Sequence, residues 1–367
     1  MTRGILRGVR VYRDGAFGGP EDVVIDGGVI GNDPADGQDA ASGGYLMPGL
    51  IDCHIHLYGP ETLSALAAYG VTSCMDMSSP ALLVAALRGM PGVTDIRSPL
   101  MAATSPESAH AARMKDIPAA AEALVAGVAD IDAWISGHVE QGADYIKVVI
   151  DLPGFDQETV DALVAAAHAR DLRVVAHASR SDAVSMAQRA GVDILTHAPL
   201  DRPINEVQAA ELVASGTVIV PTLTMMHGIV ENLKAKGIPG PAYDPARASV
   251  ATLHAARMPI LAGTDANATP AAPASPVFGE SLHDELALLV DAGLTPAQAL
   301  DAATSVAAEH FGLLDRGRIA PGLRADLVLL ADDPTVDIAA TRSIRGVWIA
   351  GERITVDDQA LHAAGGA

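Results

Sequence analysis

The chain has only two cysteines, Cys53 and Cys74, and they do not form a C-x-x-C pair. That argues against a disulfide framework or a zinc ribbon and fits a reducing, cytoplasmic setting. Aromatic residues make up only 3% of the sequence, so the core must rest on the abundant Ala, Val, Leu and Gly. Such side chains suit tightly packed helix-on-strand layers. Cations are outnumbered: 24 Lys and Arg stand against 45 Asp and Glu, giving a formal charge of −21 that repels phosphate backbones. Nucleic acid is therefore not an expected partner. A small-molecule substrate stays open, because a local pocket can differ in sign from the whole. No apolar run reaches the roughly 18 residues of a membrane span. The start, "MTRGILRGVRVYRDG", interrupts its apolar residues with Arg and Gly and lacks the h-region of an export signal. The expectation is an unexported cytoplasmic protein without membrane contact. No G-x-G-x-x-G follows the first strand of the central region, which weakens a doubly wound nucleotide-binding alternative.

What is present is an alternation. Eight short apolar runs, at 49–57, 70–77, 96–103, 143–150, 172–178, 192–198, 216–224 and 259–266, are separated by helical segments such as "ETVDALVAAAHARD". Strand and helix in alternation signify a parallel α/β architecture, and eight repeats predict a (β/α)8 TIM barrel over residues 48–316. The two ends read differently. Residues 1–47 carry hairpin signals, "RDG" and "DGG", between β-branched runs, and residues 317–367 have a similar texture. Together they predict one small, discontinuous β-sandwich with the barrel inserted. The Pro/Ala-rich stretch 266–276 after the eighth run suits an active-site loop.

In such a barrel the chemistry lies at the carboxyl ends of the strands. His54 and His56 end the first run, Lys147 lies in the fourth, and His177, His197 and Asp265 end the fifth, sixth and eighth. These six metal-capable groups are predicted to converge on one rim. Strand alternation puts His54 and His56 on one face and Cys53 and Ile55 on the other, so Cys53 is expected to face the helices. Lys147 sits in "DYIKVVI", a strand buried on both faces, where a charged ammonium is costly without a partner. Asp144 is one candidate partner. Alternatively, a neutral amine can take up carbon dioxide as a carbamate, a two-oxygen anionic ligand able to bridge two divalent ions. Burial and nearby cations favour the neutral amine.

These residues bring a family into view. The chain resembles the amidohydrolase superfamily over nearly its whole length, through "PGLIDCHIH", "GADYIKV", "VVAHA", "ILTHA" and "AGTDA", with "GLTPAQALDAATSVAAEHFGL" and "GRIAPGLRADLVLL" flanking. It looks most like the imidazolonepropionase-related and bacterial prolidase-like branch. The resemblance implies that His54, His56 and Asp265 hold one metal and His177 and His197 a second. Carboxylated Lys147 and a hydroxide bridge them. It gives Asp265 and Lys147 catalytic parts, with Asp265 moving the proton from the attacking hydroxide to the leaving amine. Zinc is the default, with manganese, cobalt or iron as alternatives. The implied reaction is hydrolysis of an amide-type C–N bond in an N-acyl amino acid, an Xaa-Pro-like dipeptide or a cyclic amide. A lactone, carbamate or phosphoester would be served by the same site, and a decarboxylase or a non-catalytic scaffold are remoter readings. Family habit also implies a homo-oligomer. Two positions depart from the family pattern: Ser179 and Thr196 stand where relatives often have His and Glu, which leaves substrate identity open.

Substrate contacts are expected from Tyr58, from Arg180 and Arg202 as carboxylate-gripping guanidinium groups, and from His110, His227 and His283 on the same rim. The competing reading makes the arginines surface ion pairs with Asp182 or Asp201. His138, His168, His254 and His310 read as structural, and neither Ser179 nor Ser281 has the context of a nucleophile.

Overall fold

The computed structural model describes residues 3–32, 37–115 and 119–354. The amino-terminal segment forms β1 (Gly4–Arg13), β2 (Ala16–Asp26), β3 (Val29–Ile30), β4 (Gln38–Ser42) and β5 (Tyr45–Pro48). The "RDG" step is the β1–β2 turn, where Asp14 and Gly15 have φ of 50° and 83°. Two consecutive left-handed residues match the right-handed twist of the flanking strands.

The middle of the chain forms two parallel sheets. One holds β6 (Leu50–Ile55), β7 (Val71–Asp76) and β8 (Asp95–Arg97); the other holds β9 (Ile146–Val149), β10 (Val174–His177), β11 (Ile194–Thr196) and β12 (Val218–Val220). Helices follow most of these strands, among them Gln157–His168, capped by Asp156, and Glu206–Ala214, capped by Asn205. The third predicted run is a strand only at 95–97: Pro99 has no N–H to donate and Leu100 is left-handed, with φ of 64°. Beyond that break Ala103 still forms a parallel bridge to Val148. The eighth run, 259–266, is not a regular strand. It makes parallel bridges from Ile260 to Ile219 and from Ala266 to Ile55, so it touches the edge strand of each sheet.

The strand faces separate two cores. Ile51, Cys53, Met75, Tyr145, Val175, Ile194, Val218 and Leu261 form one cluster that draws on both parallel sheets. Ile55, Ile146, Val148, Val174, Leu195 and Ile219 face the other way, onto helix residues such as Leu63, Leu66, Leu163 and Leu212. Cys53 is a correction to the sequence reading: it lies in the cluster of strand residues, closed at one side by Ala307 and Ala308 of the helix Ser305–His310, and not in the layer of Leu63, Leu66, Leu163 and Leu212. The register of β6 on β7 shifts between Asp52 and Ile55, and such a bulge breaks the alternation on which the reading rested.

The carboxyl-terminal segment adds β13 (Leu327–Leu330), β14 (Ile344–Ile349) and β15 (Glu352–Arg353). Both ends of the chain share one sheet, with β13 lying between β14 and β5. Leu327 and Leu329 pack with Leu6, Val9, Val11 and Trp348, while Val328 and Leu330 join the main core. This sheet therefore has its own apolar layer on one face and leans on the parallel α/β region with the other. Residues 1–2, 33–36 and 355–367 of the expected sandwich lie outside the described residues. Among the described residues no helix is long and apolar enough to cross a membrane.

Candidate metal centre

The six predicted groups come from the ends of β6, β10 and β11, from within β9, and from the 259–266 segment. Asp265 is the hub. Its Oδ1 lies 3.3 Å from His54 Nε2 and 3.1 Å from His56 Nε2, and its Oδ2 lies 4.0 Å from His197 Nδ1. The rings of His54 and His197 are 4.9 Å apart, and those of His197 and His177 are 4.4 Å apart. Ligand atoms of His54, His197 and Asp265 all fall within 4.8 Å of one another, the spacing of a metal-binding cluster. Lys147 is 3% exposed and its Nζ donates to Thr196 Oγ1 across 2.8 Å. It does not pair with Asp144, whose carboxylate takes Arg88 and the Ser98 N–H instead.

Electrostatics prepare these groups as ligands. Burial pulls His54 down to about 4 and holds His177 and His197 well below the ordinary imidazole value, so their nitrogen lone pairs are free near neutral pH. Burial also works to raise Asp265, but the surrounding His54, His56 and His197 outweigh it and keep the carboxylate ionised. Burial pulls the Lys147 amine down to about 7, against the opposing pull of Asp265 and Asp76. Burial works to lower His56 as well, but its bond to Asp265 and the charges of Asp265 and Asp76 outweigh it and raise that ring. The donor set is thus three neutral imidazoles, a fourth that Asp265 keeps more basic, a carboxylate and an amine that is readily neutral, which suits zinc or a similar divalent ion. His54 Nδ1 is buried without a hydrogen-bond partner among the described residues, an orphan that a polar or ionic neighbour would satisfy. The residues present fit the metals implied by the sequence.

The backbone around the site is strained where it presents ligands. His197 and Asp265 have φ of 75° and 60°, a left-handed conformation costing about 1–3 kcal/mol each. Gly263 explains the glycine of "AGTDA": a Cβ there would stand 2.5 Å from Val220 Cγ1 and 2.9 Å from His54 N. Only a residue without a side chain lets this segment approach β6 so closely.

Several positioning residues escaped the sequence reading. Asp52, fully buried, accepts from His54 N and Thr264 N at 3.1 Å each and from Thr264 Oγ1 at 2.8 Å. It ties the strand of His54 to the segment of Asp265. Asp76, also buried, accepts from Ser79 Oγ and Ser98 Oγ and lies close enough to His56 to act on its charge. Thr222 Oγ1 meets His197 Nδ1 at 2.8 Å. The available signal was the position of Asp52 and Thr264 inside the two quoted motifs; nothing local marked Asp76 or Thr222.

The predicted substrate contacts divide. His110 stands 6.3 Å, ring to ring, from His177, and burial, reinforced by Arg113, holds it down at about 4. Tyr58 is 41% exposed, packs edge-on to Phe278, and is acted on by Asp265. Arg180 pairs with Asp182 at 3.2 Å, the surface arrangement foreseen as the competing reading. Arg202 is exposed and donates to Ser181 Oγ. His227 is exposed and lies against Tyr243. His283 is a correction: it is buried away from solvent, bonded to the Tyr69 carbonyl and the Thr341 hydroxyl, because its helix turns that face toward residues 338–342. Among the structural histidines, His138 bonds the Trp134 and Met101 carbonyls, and His168 bonds Asp193.

Imidazoles and a carboxylate gathered at the strand ends of a parallel α/β core make a donor set able to hold a divalent metal. The sequence profile of the Amidohydrolase family matches residues 45–354, and the chain belongs to that family. It is 33% identical over 239 residues to the imidazolonepropionase of Deinococcus deserti, covering 63% of this chain and 54% of that enzyme, so the match spans about half of the relative's length. It is 27% identical over 364 residues to an uncharacterised protein of Mycobacterium tuberculosis, covering 89% of this chain and 91% of the relative. Among solved structures, a Xaa-Pro dipeptidase with methionine bound in its active site superposes with a TM-score of 0.83 at 20% identity, covering 96% of this chain and 99% of that one. Phenylurea hydrolase B superposes with a TM-score of 0.80 at 20% identity over 97% of each chain. These structural likenesses establish the shared fold.

Proposed function

We propose that the chain is a binuclear, metal-dependent amidohydrolase that cleaves an amide-type C–N bond in a small molecule. The observation that carries the reading is the meeting of Asp265 with His54, His56 and His197 on one rim, beside His177 and a buried Lys147 amine held down at about 7. In this reading His54, His56 and Asp265 would hold one ion and His177 and His197 the other, and Lys147, as its carbamate, would supply an anionic ligand to both. Zinc is the first choice of metal. The carbamate forms when the neutral amine nitrogen attacks the carbon of carbon dioxide and loses one proton. The two ions together would acidify a water and polarise the scissile carbonyl. Asp265, kept ionised by its imidazoles, takes the proton from the attacking water and delivers it to the leaving nitrogen. His110 and Tyr58 line the approach and orient the substrate, with Arg180, Arg202 and His227 as further contacts.

The bridges of residues 259–266 to β12 and β6, and of Ala103 to β9, support closure of the two parallel sheets into a (β/α)8 barrel. We place that barrel at 48–316 and a small β-sandwich at 1–47 with 317–367. Substrates in best accord with the relatives are N-acyl amino acids, Xaa-Pro-like dipeptides and cyclic amides. A cytoplasmic location and a homo-oligomer complete the proposal; the two free, buried cysteines support the first and family habit the second. Turnover of such a panel by zinc-loaded protein tests the reading. Cleavage of at least one amide class, abolished by a chelator and restored by zinc, supports it. Hydrolysis that survives verified metal removal overturns it.

A further inference from the structure

Glu285 is fully buried on the helix Glu280–Asp291, and nothing in its own helix uses its carboxylate. The group reaches a different helix, Leu223–Ala235, at its first turn. Its Oε1 accepts from Leu223 N at 3.0 Å, and its Oε2 accepts from Thr224 N at 2.7 Å and Thr224 Oγ1 at 2.8 Å. The two N–H groups are among those a helix start leaves unsatisfied, and that of Thr224, the second helical residue, is one that an N-cap side chain usually takes.

The N-cap residue here is Thr222, and it does not cap. It sits at φ 47° and ψ 49°, with no side-chain capping bond. A β-branched residue in the left-handed region is an outlier that persists only when its surroundings impose it. The hydroxyl freed from capping lies 2.8 Å from His197 Nδ1. Nδ1, the nitrogen that also lies 4.0 Å from Asp265 Oδ2, is held by this bond, which favours one orientation of the ring and leaves Nε2 for a ligand.

We propose that Glu285 is a positioning residue for the metal centre: by capping the Leu223–Ala235 helix from outside, it holds Thr222 in its strained conformation and so aims His197. The inference rests on the metal-binding reading above. It distinguishes Glu285 from an ordinary buried helix cap, because the effect must pass through Thr222 and reach a ligand.

The test is a zinc titration of metal-free protein, made on wild type, Glu285→Gln, Thr222→Val, Thr222→Ser and the Glu285→Gln/Thr222→Val double variant. Thr222→Val keeps the branched shape and removes the hydroxyl. Glu285→Gln and Thr222→Val should each weaken one zinc site about 10–100-fold, as lost support of a ligating histidine does. Thr222→Ser should bind as wild type, and the double variant should bind no more weakly than Thr222→Val alone. Wild-type affinity in Glu285→Gln, with lowered thermal stability of the metal-free protein, overturns the proposal and leaves Glu285 a structural cap. Independent, additive losses overturn the route through Thr222. Should Glu285→Gln not fold, unchanged zinc affinity in Thr222→Val is itself contradictory. Wild-type protein that binds no zinc sinks the metal reading and this inference together; wild-type binding with an unaffected Glu285→Gln sinks this inference alone.

Discussion

Lys147 Nζ donates to Thr196 Oγ1 across 2.8 Å, and Thr196 Oγ1 lies 3.2 Å from the Ala176 carbonyl to which it donates in turn. The departure from the family pattern at position 196 thus stands directly beside the lysine, on the residue preceding His197. A hydroxyl, which can accept from an amine without adding charge, suits a lysine that must lose its proton. Thr196→Val removes that acceptor while keeping the shape. We expect it to leave the buried amine unpartnered and lower the stability of the metal-free protein by about 1–3 kcal/mol. Denaturant unfolding of the two proteins checks this; equal midpoints and slopes would mean the bond contributes nothing.

Asp265→Asn should leave the fold intact and depress the rate. The amide cannot accept the proton that an ionised Asp265 takes, a role worth typically 10²–10⁴-fold. The informative comparison is kcat at saturating metal and substrate, beside an unchanged circular dichroism spectrum. Near-normal kcat would remove Asp265 from proton transfer.

Asp52→Val should be more damaging to stability than to metal chemistry alone. It removes the acceptor of His54 N and Thr264 N and the shorter bond of Thr264 Oγ1, all in the buried seam between β6 and the Asp265 segment. We expect a loss of at least about 3 kcal/mol in unfolding free energy, with Asp52→Asn milder because it retains one acceptor oxygen. Equal loss in both variants would show that shape, and not hydrogen bonding, is what Asp52 supplies.

His283 carries a pH prediction outside the metal centre. Burial, reinforced by Arg342, pulls its ring down to about 4 from an ordinary 6.5. Between those values the unfolded chain binds the proton and the folded one does not, so the contribution of His283 is present above pH 6.5 and lost as pH falls toward 4. Buried Glu285, pushed up to about 7, acts with the opposite sign over part of this range. The readout is therefore the difference between wild type and His283→Gln. That difference should shrink by roughly 3 kcal/mol between pH 7 and pH 4. A difference independent of pH would place the proton on His283 in the folded state as well.

Much of this architecture could be read from the residues themselves. Seven of the eight apolar runs contain regular parallel strands, because near-continuous β-branched and aliphatic residues leave little else to form. All six proposed ligands were legible because each ends, or lies within, such a run. What escaped depended on contacts distant in sequence or on broken periodicity. Cys53 turned inward because a bulge in β6 interrupts the alternation. His283 looked like a rim residue, yet its helix face is claimed by Tyr69 and Thr341, from opposite ends of the chain. Asp76 lies in an apolar run, and its serine partners reach it from outside that strand, Ser98 from beyond β8. No local pattern announces such pairings.

The central claim is that Lys147, as a carbamate, joins two metal ions. The most direct measurement is the metal content of metal-free protein reconstituted with zinc, with and without added bicarbonate, beside Lys147→Ala. The account predicts two ions per wild-type chain, full occupancy that depends on bicarbonate, and loss of at least one ion in Lys147→Ala. Two tightly held ions in Lys147→Ala, or wild-type occupancy indifferent to bicarbonate after carbon dioxide is stripped, would contradict it.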